Sequence, residues 1–135
     1  MSTAVDKSVA SNQDAVLLIG RILLSLLVLV AAWGKVRGLG GAEAYFTKLG
    51  VPSPSIMAPA VMIFEAVVGI MLVVGFKTRI AAILLALFCI VTAAVAHTNI
   101  ADGNQLNHLL KNLAITGGAL ALAVSGPGAY SVDKR

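Results

Sequence analysis

Residues 62–76 read MIFEAVVGIMLVVGF: fourteen apolar or small residues and one carboxylate, Glu65. Extended backwards to Ile56, the run exceeds the roughly 18 residues that mark a transmembrane helix. Working outward, the same pattern recurs at 15–33, 80–96 and 106–125, the last with a polar opening turn. The chain is 59% hydrophobic and 12% charged over 135 residues, more apolar surface than a soluble domain of that size can bury. The expected fold is all-α, a four-transmembrane-helix bundle, with a short helix at the bilayer surface between spans one and two.

The remaining segments are short. Residues 1–14 form a polar N-terminal tail, 15–126 the four-helix membrane domain and 127–135 a C-terminal tail. The first apolar run is not a cleavable signal: it is long, carries Arg21 and lacks a small-x-small exit. Asn12 and Asp14 are suited to cap the first span. Between spans one and two, glycines and prolines bracket AEAYFTKL (42–49), which supplies the short helix. Pro59 is expected in the first turn of span two, where its missing N–H costs nothing.

The net charge of +4 does not indicate nucleic acid, because the basic residues sit at span ends, where lipid headgroups account for them. Both termini share one side with the FKTR turn, giving Lys7, Lys77, Arg79, Lys134 and Arg135 against Lys35, Arg37, Lys48 and Lys111 opposite. The termini are therefore expected in the cytoplasm. A single cysteine, Cys89, excludes an internal disulfide or CxxC pair, so any redox role must borrow its electron carrier.

Chemistry must come from polar residues that do not belong in lipid. Arg21, Ser25, Val28, Ala32 and Lys35 are spaced 4, 3, 4 and 3 apart, one stripe of the first helix turned toward the bundle interior. Arg21 lies about 9 Å in from the helix start, within snorkelling reach. Glu65 lies about 14 Å from either end of its span, too deep to snorkel. A charge at such a depth costs about 2.5–3.5 kcal/mol, so Glu65 is protonated and hydrogen-bonded or paired with a cation. Arg21 is one partner for a structural ion pair; Lys35 and Lys111 are two more.

A second cluster, NHLLKN (107–112), sets His108, Lys111 and Asn112 on one helix face. His97 and Lys35 end their helices on the same side. Lys35, His97, His108, Lys111 and Asn112 would thus form a basic vestibule above Glu65, suited to a quinone or a small anion. Haem needs both imidazoles aimed at one iron, which two histidines flanking one short loop do not favour. A metal site is not expected, for want of a third clear ligand. The small-residue rows Ala114–Gly118 and Gly117–Ala121–Ser125, with Gly69, allow close helix approach.

In order, Arg21, WGKVRG, LGVP, FEAVVGIMLVVGFKTRIAA, HLLKNLAITGGALAL and GPGAYSVD resemble the DoxX family of small bacterial membrane proteins, over about Ala15 to Asp133. The resemblance implies a four-helix, multi-pass protein of the bacterial inner membrane. Its name comes from a subunit of a thiosulfate:quinone oxidoreductase; other members are associated with quinone or thiol stress, and many have no assigned activity. Arg21, Lys35, Glu65, Gly69, Thr78, Arg79, Lys111 and Asn112 fall in the recurrent pattern, none with an established catalytic role.

Three functions follow. In a quinone-linked redox subunit serving a soluble or membrane partner, Glu65 exchanges a proton or hydrogen-bonds a quinone. In a non-catalytic anchor or assembly factor, the polar residues only fix helix register. A small-solute transporter would need a homo-oligomer to enclose a path. No covalently bound cofactor is expected in any of them, and the lipid bilayer is the common partner.

Overall fold

The computed structural model describes residues 3–134. They form six helices: α1 Ala4–Ser11, α2 Gln13–Arg37, α3 Leu39–Lys48, α4 Pro54–Val74, α5 Thr78–Ala96 and α6 Gly103–Ser125. Four of these, α2, α4, α5 and α6, are long and apolar enough to cross a membrane. At 1.5 Å per residue they measure about 28–38 Å, matching a hydrocarbon core of about 30 Å. The all-α four-helix bundle is as expected, and α3 is the short helix between the first two spans. Arg135, counted among the basic residues of the terminal side, lies outside the described residues.

Local chemistry sets the helix ends. Gly75 (φ +71°) supplies the left-handed cap after α4. Asp102 accepts from the Asn104 N–H at 2.9 Å to open α6. The residues before the first span are themselves helical: Thr3 and Asp6 form a reciprocal capping box around α1. The Thr3 backbone N–H, and after it the Thr3 hydroxyl, hold the Asp6 carboxyl below its usual range.

Three local expectations are corrected. The first span continues past Trp33 to Arg37, because Gly34 stays helical and Gly38 closes the helix instead. Pro59 falls in the second turn of α4, since the helix already starts at Pro54; it forgoes one bond, to Ser55. Asn12 caps without a side-chain hydrogen bond. Asp14 instead accepts from the Ala129 N–H, 115 residues away, at 2.8 Å.

The spans pack as two antiparallel pairs. In the first, Gly69 of α4 leaves room for α2: a Cβ there would sit 2.5 Å from Leu29 Cδ2. In the second, α5 and α6 are joined by side-chain bonds along their length. The pairs meet through Val28, Val68 and Leu72 on one side and Ala81, Ala82, Leu85, Ala86, Cys89, Ala119 and Leu122 on the other. Large side chains such as Leu23, Val30, Ile63, Val67, Ile83 and Leu87 point outward. Small residues inside and branched ones outside are what a bundle in lipid requires, since lipid tails do not drive large side chains inward.

After α6 the segment Gly126–Lys134, here the strap, folds back across one end of the bundle. Val132 N–H donates to Val74 O and Asp133 N–H to Gly75 O, both at 2.9 Å. The strap end also holds the start of α2 and the α4–α5 turn; the α3 end is opposite.

Candidate functional site

Every buried residue of α2, namely Arg21, Ser25, Val28 and Ala32, lies on the predicted stripe. Its two cations nevertheless have separate fates, and helix geometry explains why. Side chains lean toward the start of their own helix. Lys35, near the end of α2, therefore leans into the bundle, while Arg21 leans out toward the strap end. Glu65 on antiparallel α4 leans toward the α3 end and meets Lys35. The Lys35 ammonium lies 2.8 Å from Glu65 Oε2 and 3.0 Å from Oε1.

Of the three cations considered for Glu65, Lys35 is thus the partner and Arg21 is not. Glu65 is 4% exposed and Lys35 18%. The carboxylate is sealed inside, and the lysine side chain is only partly covered. Both carboxylate oxygens lie within hydrogen-bond distance of the ammonium, which carries three hydrogens and has no other protein acceptor among the described residues.

Arg21 is fully buried at the strap end. It donates to Leu72 O (3.3 Å), Val73 O (3.4 Å) and Tyr130 O, and Asp133 attracts its charge. Asp133 also accepts from the Lys77 and Thr78 N–H groups at 2.9 Å, covering the exposed start of α5. Arg79 donates to Ala123 O and Val124 O at the end of α6. These arginines serve helix termini.

The remaining predicted residues belong to the α5–α6 pair. Asn112, buried, donates to Thr92 Oγ1 at 3.1 Å; Thr116 donates to Asn112 O at 2.8 Å. At the α3 end, His97 Nδ1 lies 2.9 Å from Gln105 Oε1, and His108 Nδ1 lies 3.2 Å from the Lys111 ammonium. The two imidazoles stack, centroids 5.0 Å apart and planes 20° from parallel. Among the described residues no hydrogen bond or ion pair links this cluster to Lys35 and Glu65. The structure therefore resolves the vestibule into two groups, one on each helix pair.

Sequence reasoning missed Thr92, Gln105, Thr116 and Asp133, and gave Asp14 a cap role in place of its bond to the strap. A hydroxyl inside an apolar run four residues before a helix end, as at Thr92, was a usable signal. Nothing local marks Asp133 as the cap of a helix that starts 55 residues earlier. No group of three or more His, Cys, Asp or Glu that could hold a metal occurs among the described residues.

The family model for DoxX matches residues 16–98. Over 122 residues the chain is 41% identical to the inner membrane protein YqjF of Escherichia coli K12, covering 90% of this chain and 92% of that protein. The chain belongs to the DoxX family. A second relative, the inner membrane protein YphA of the same organism, is 35% identical over 128 residues, 91% of each chain. No solved structure matches. This DoxX-family chain is a multi-pass inner-membrane protein in contact with the lipid bilayer. The match spans α2 to α5, so Arg21, Lys35, Glu65 and Arg79 all lie within the family region.

Proposed function

We propose that the chain is the membrane-embedded subunit of a quinone-linked redox system, with Lys35 and Glu65 as its headgroup site. The observation that carries this is the state of the ion pair. A carboxylate sealed within an apolar span holds the ammonium of a lysine whose side chain is only partly covered and whose sole protein acceptors among the described residues are the two Glu65 oxygens. A quinone carbonyl is an acceptor of the right kind for that ammonium. When the quinone takes up two electrons it also takes up two protons; the pair can deliver one, be reprotonated from water and deliver the second. The electrons come from a soluble or membrane partner, because one buried cysteine offers no two-electron couple. His97, His108, Lys111 and Asn112 line the neighbouring pair at the same end, where a headgroup or small anionic donor would arrive. The short basic turn at the strap end, with Lys77 and Arg79, favours placing that end in the cytoplasm.

A second function, a non-catalytic anchor or assembly factor, is favoured by one fact: both Glu65 oxygens are already satisfied by Lys35. The pair would then only fix the register of α2 on α4.

Mass spectrometry of small molecules retained by protein extracted in native-lipid particles separates the two. The comparison is Lys35→Met/Glu65→Leu, which removes both charges and keeps the volume. A quinone held by the natural chain and lost from the folded double variant supports the redox subunit. No quinone in either protein, or equal amounts in both, overturns it and leaves the anchor.

A further inference from the structure

Hydrogen bonding divides the bundle sharply. Within α2–α4, Arg21 reaches Leu72 and Val73, and Lys35 reaches Glu65. Within α5–α6, Arg79 reaches Ala123 and Val124, Asn112 reaches Thr92, and Thr116 reaches Ala86. Between the pairs, every hydrogen bond among the described residues ends on the strap. Ala129 N–H donates to Asp14 and Tyr130 O accepts from Arg21, both on α2. Val132 and Asp133 N–H groups donate to the end of α4, and the Asp133 carboxylate accepts from the start of α5. The strap itself continues from α6, so it touches all four spans.

Apolar packing between the pairs is skewed the same way. Leu72, Leu85 and Leu122 lie in the half toward the strap end. Val28 and Cys89 are buried near the middle, where the Phe64 and Phe88 rings also meet across the pairs, centroids 5.2 Å apart; beyond them, toward the α3 end, the buried apolar residues shrink to Ala32, Ala58 and Ala93. Both seams are also open sideways. A surface groove of about 450 Å³ lies between α2 and α6, mostly in the strap half, lined by Gly20, Leu24 and Gly118 among others. One of about 340 Å³ lies on the surface between α4 and α5, floored by the touching Phe64 and Phe88 rings.

We infer that the two helix pairs are separate rigid bodies, clamped at the strap end and free to part at the α3 end. Gly75, in the α4–α5 turn directly under the strap, is the pivot. The strap sets where the bundle cannot open, and the weak packing of the α3 half sets where it does. The motion separates Lys35 and Glu65, on one body, from His97, His108 and Lys111, on the other. It does not depend on what either group binds.

Pulsed electron–electron resonance on the full chain in lipid nanodiscs tests this, with Cys89 replaced by alanine and spin labels placed at exposed positions. Labels at Val36 and Leu110 report the α3 end; labels at Ile19 and Leu120 report the strap end. The expected result is a narrow distribution for Ile19–Leu120 and a second, longer-distance population for Val36–Leu110. Releasing the strap with Asp133→Ala, or more mildly with Asp14→Ala, should broaden Ile19–Leu120 as well. Equally narrow distributions at both ends of the natural chain overturn the hinge, whether or not the variants fold. A strap-end distance unchanged in both folded variants overturns the clamp.

Discussion

Gly75 and Arg21 share one small volume: a Cβ on Gly75 would run into Arg21 Nη1 and the Ser131 side chain. The glycine lies at the end of α4 with φ +71°. The buried guanidinium that braces the strap end exists because this position has no side chain.

Gly75→Ala should therefore combine left-handed strain with overpacking, lowering stability by about 2–4 kcal/mol. Gly50 is the control, with φ +73° and nothing within 4 Å of the point where an alanine methyl group would sit. Gly50→Ala should cost only the backbone term, about 1–2 kcal/mol. Unfolding in mixed micelles compares the two, and equal losses would refute the steric account.

Removing either half of the Lys35–Glu65 pair should have unequal effects. Lys35→Met strands a carboxylate that is 4% exposed and should cost about 3–5 kcal/mol. Glu65→Gln leaves a lysine that can turn to the surface, so its cost should be about 1–2 kcal/mol. The double variant Lys35→Met/Glu65→Leu should recover most of the larger loss. The same unfolding assay reads all three, and additive losses in the double variant would contradict the coupling.

Not every small residue in the spans is a packing residue. Gly69→Ala pushes into Leu29 and Val28 and should destabilise by about 1–3 kcal/mol. Gly117 has nothing within 4 Å, so Gly117→Ala should be neutral or gain up to about 1 kcal/mol from helix propensity. Ranking the two by thermal aggregation in detergent decides it.

The capping box of α1 gives a pH dependence. Folding holds the Asp6 carboxyl below its usual range, so its contribution is present above the ordinary carboxylate range and disappears as pH falls through the folded value. Circular dichroism of a peptide spanning α1 and its cap should lose helix on acidification. Asp6→Asn should remove that pH dependence.

Much of this architecture was legible because lipid imposes strong rules. Four apolar runs could only be helices, and the stripe from Arg21 to Ala32 read as the face turned inward, although Arg21 alone could also have snorkelled to the headgroups. The partner of Glu65 was harder, because spacing places residues on a face without saying which way a long side chain leans. Two cations on one stripe, Arg21 and Lys35, were equivalent by periodicity and opposite by direction. The strap was the least visible part. GPGAYSVD reads as an ordinary terminal segment, and its bonds to Asp14, Arg21, Val74 and Thr78 join positions far apart in the chain, which no local pattern encodes.

The position of the strap in the chain has a consequence for biogenesis. It follows all four spans, so α2 must enter the bilayer and meet α4 before Tyr130 has been synthesised. During that interval Arg21 has only the carbonyls of Leu72 and Val73 to satisfy it, and the start of α5 lacks the Asp133 carboxylate. Arg21 and the start of α5 are thus made well before the segment that completes their hydrogen bonding.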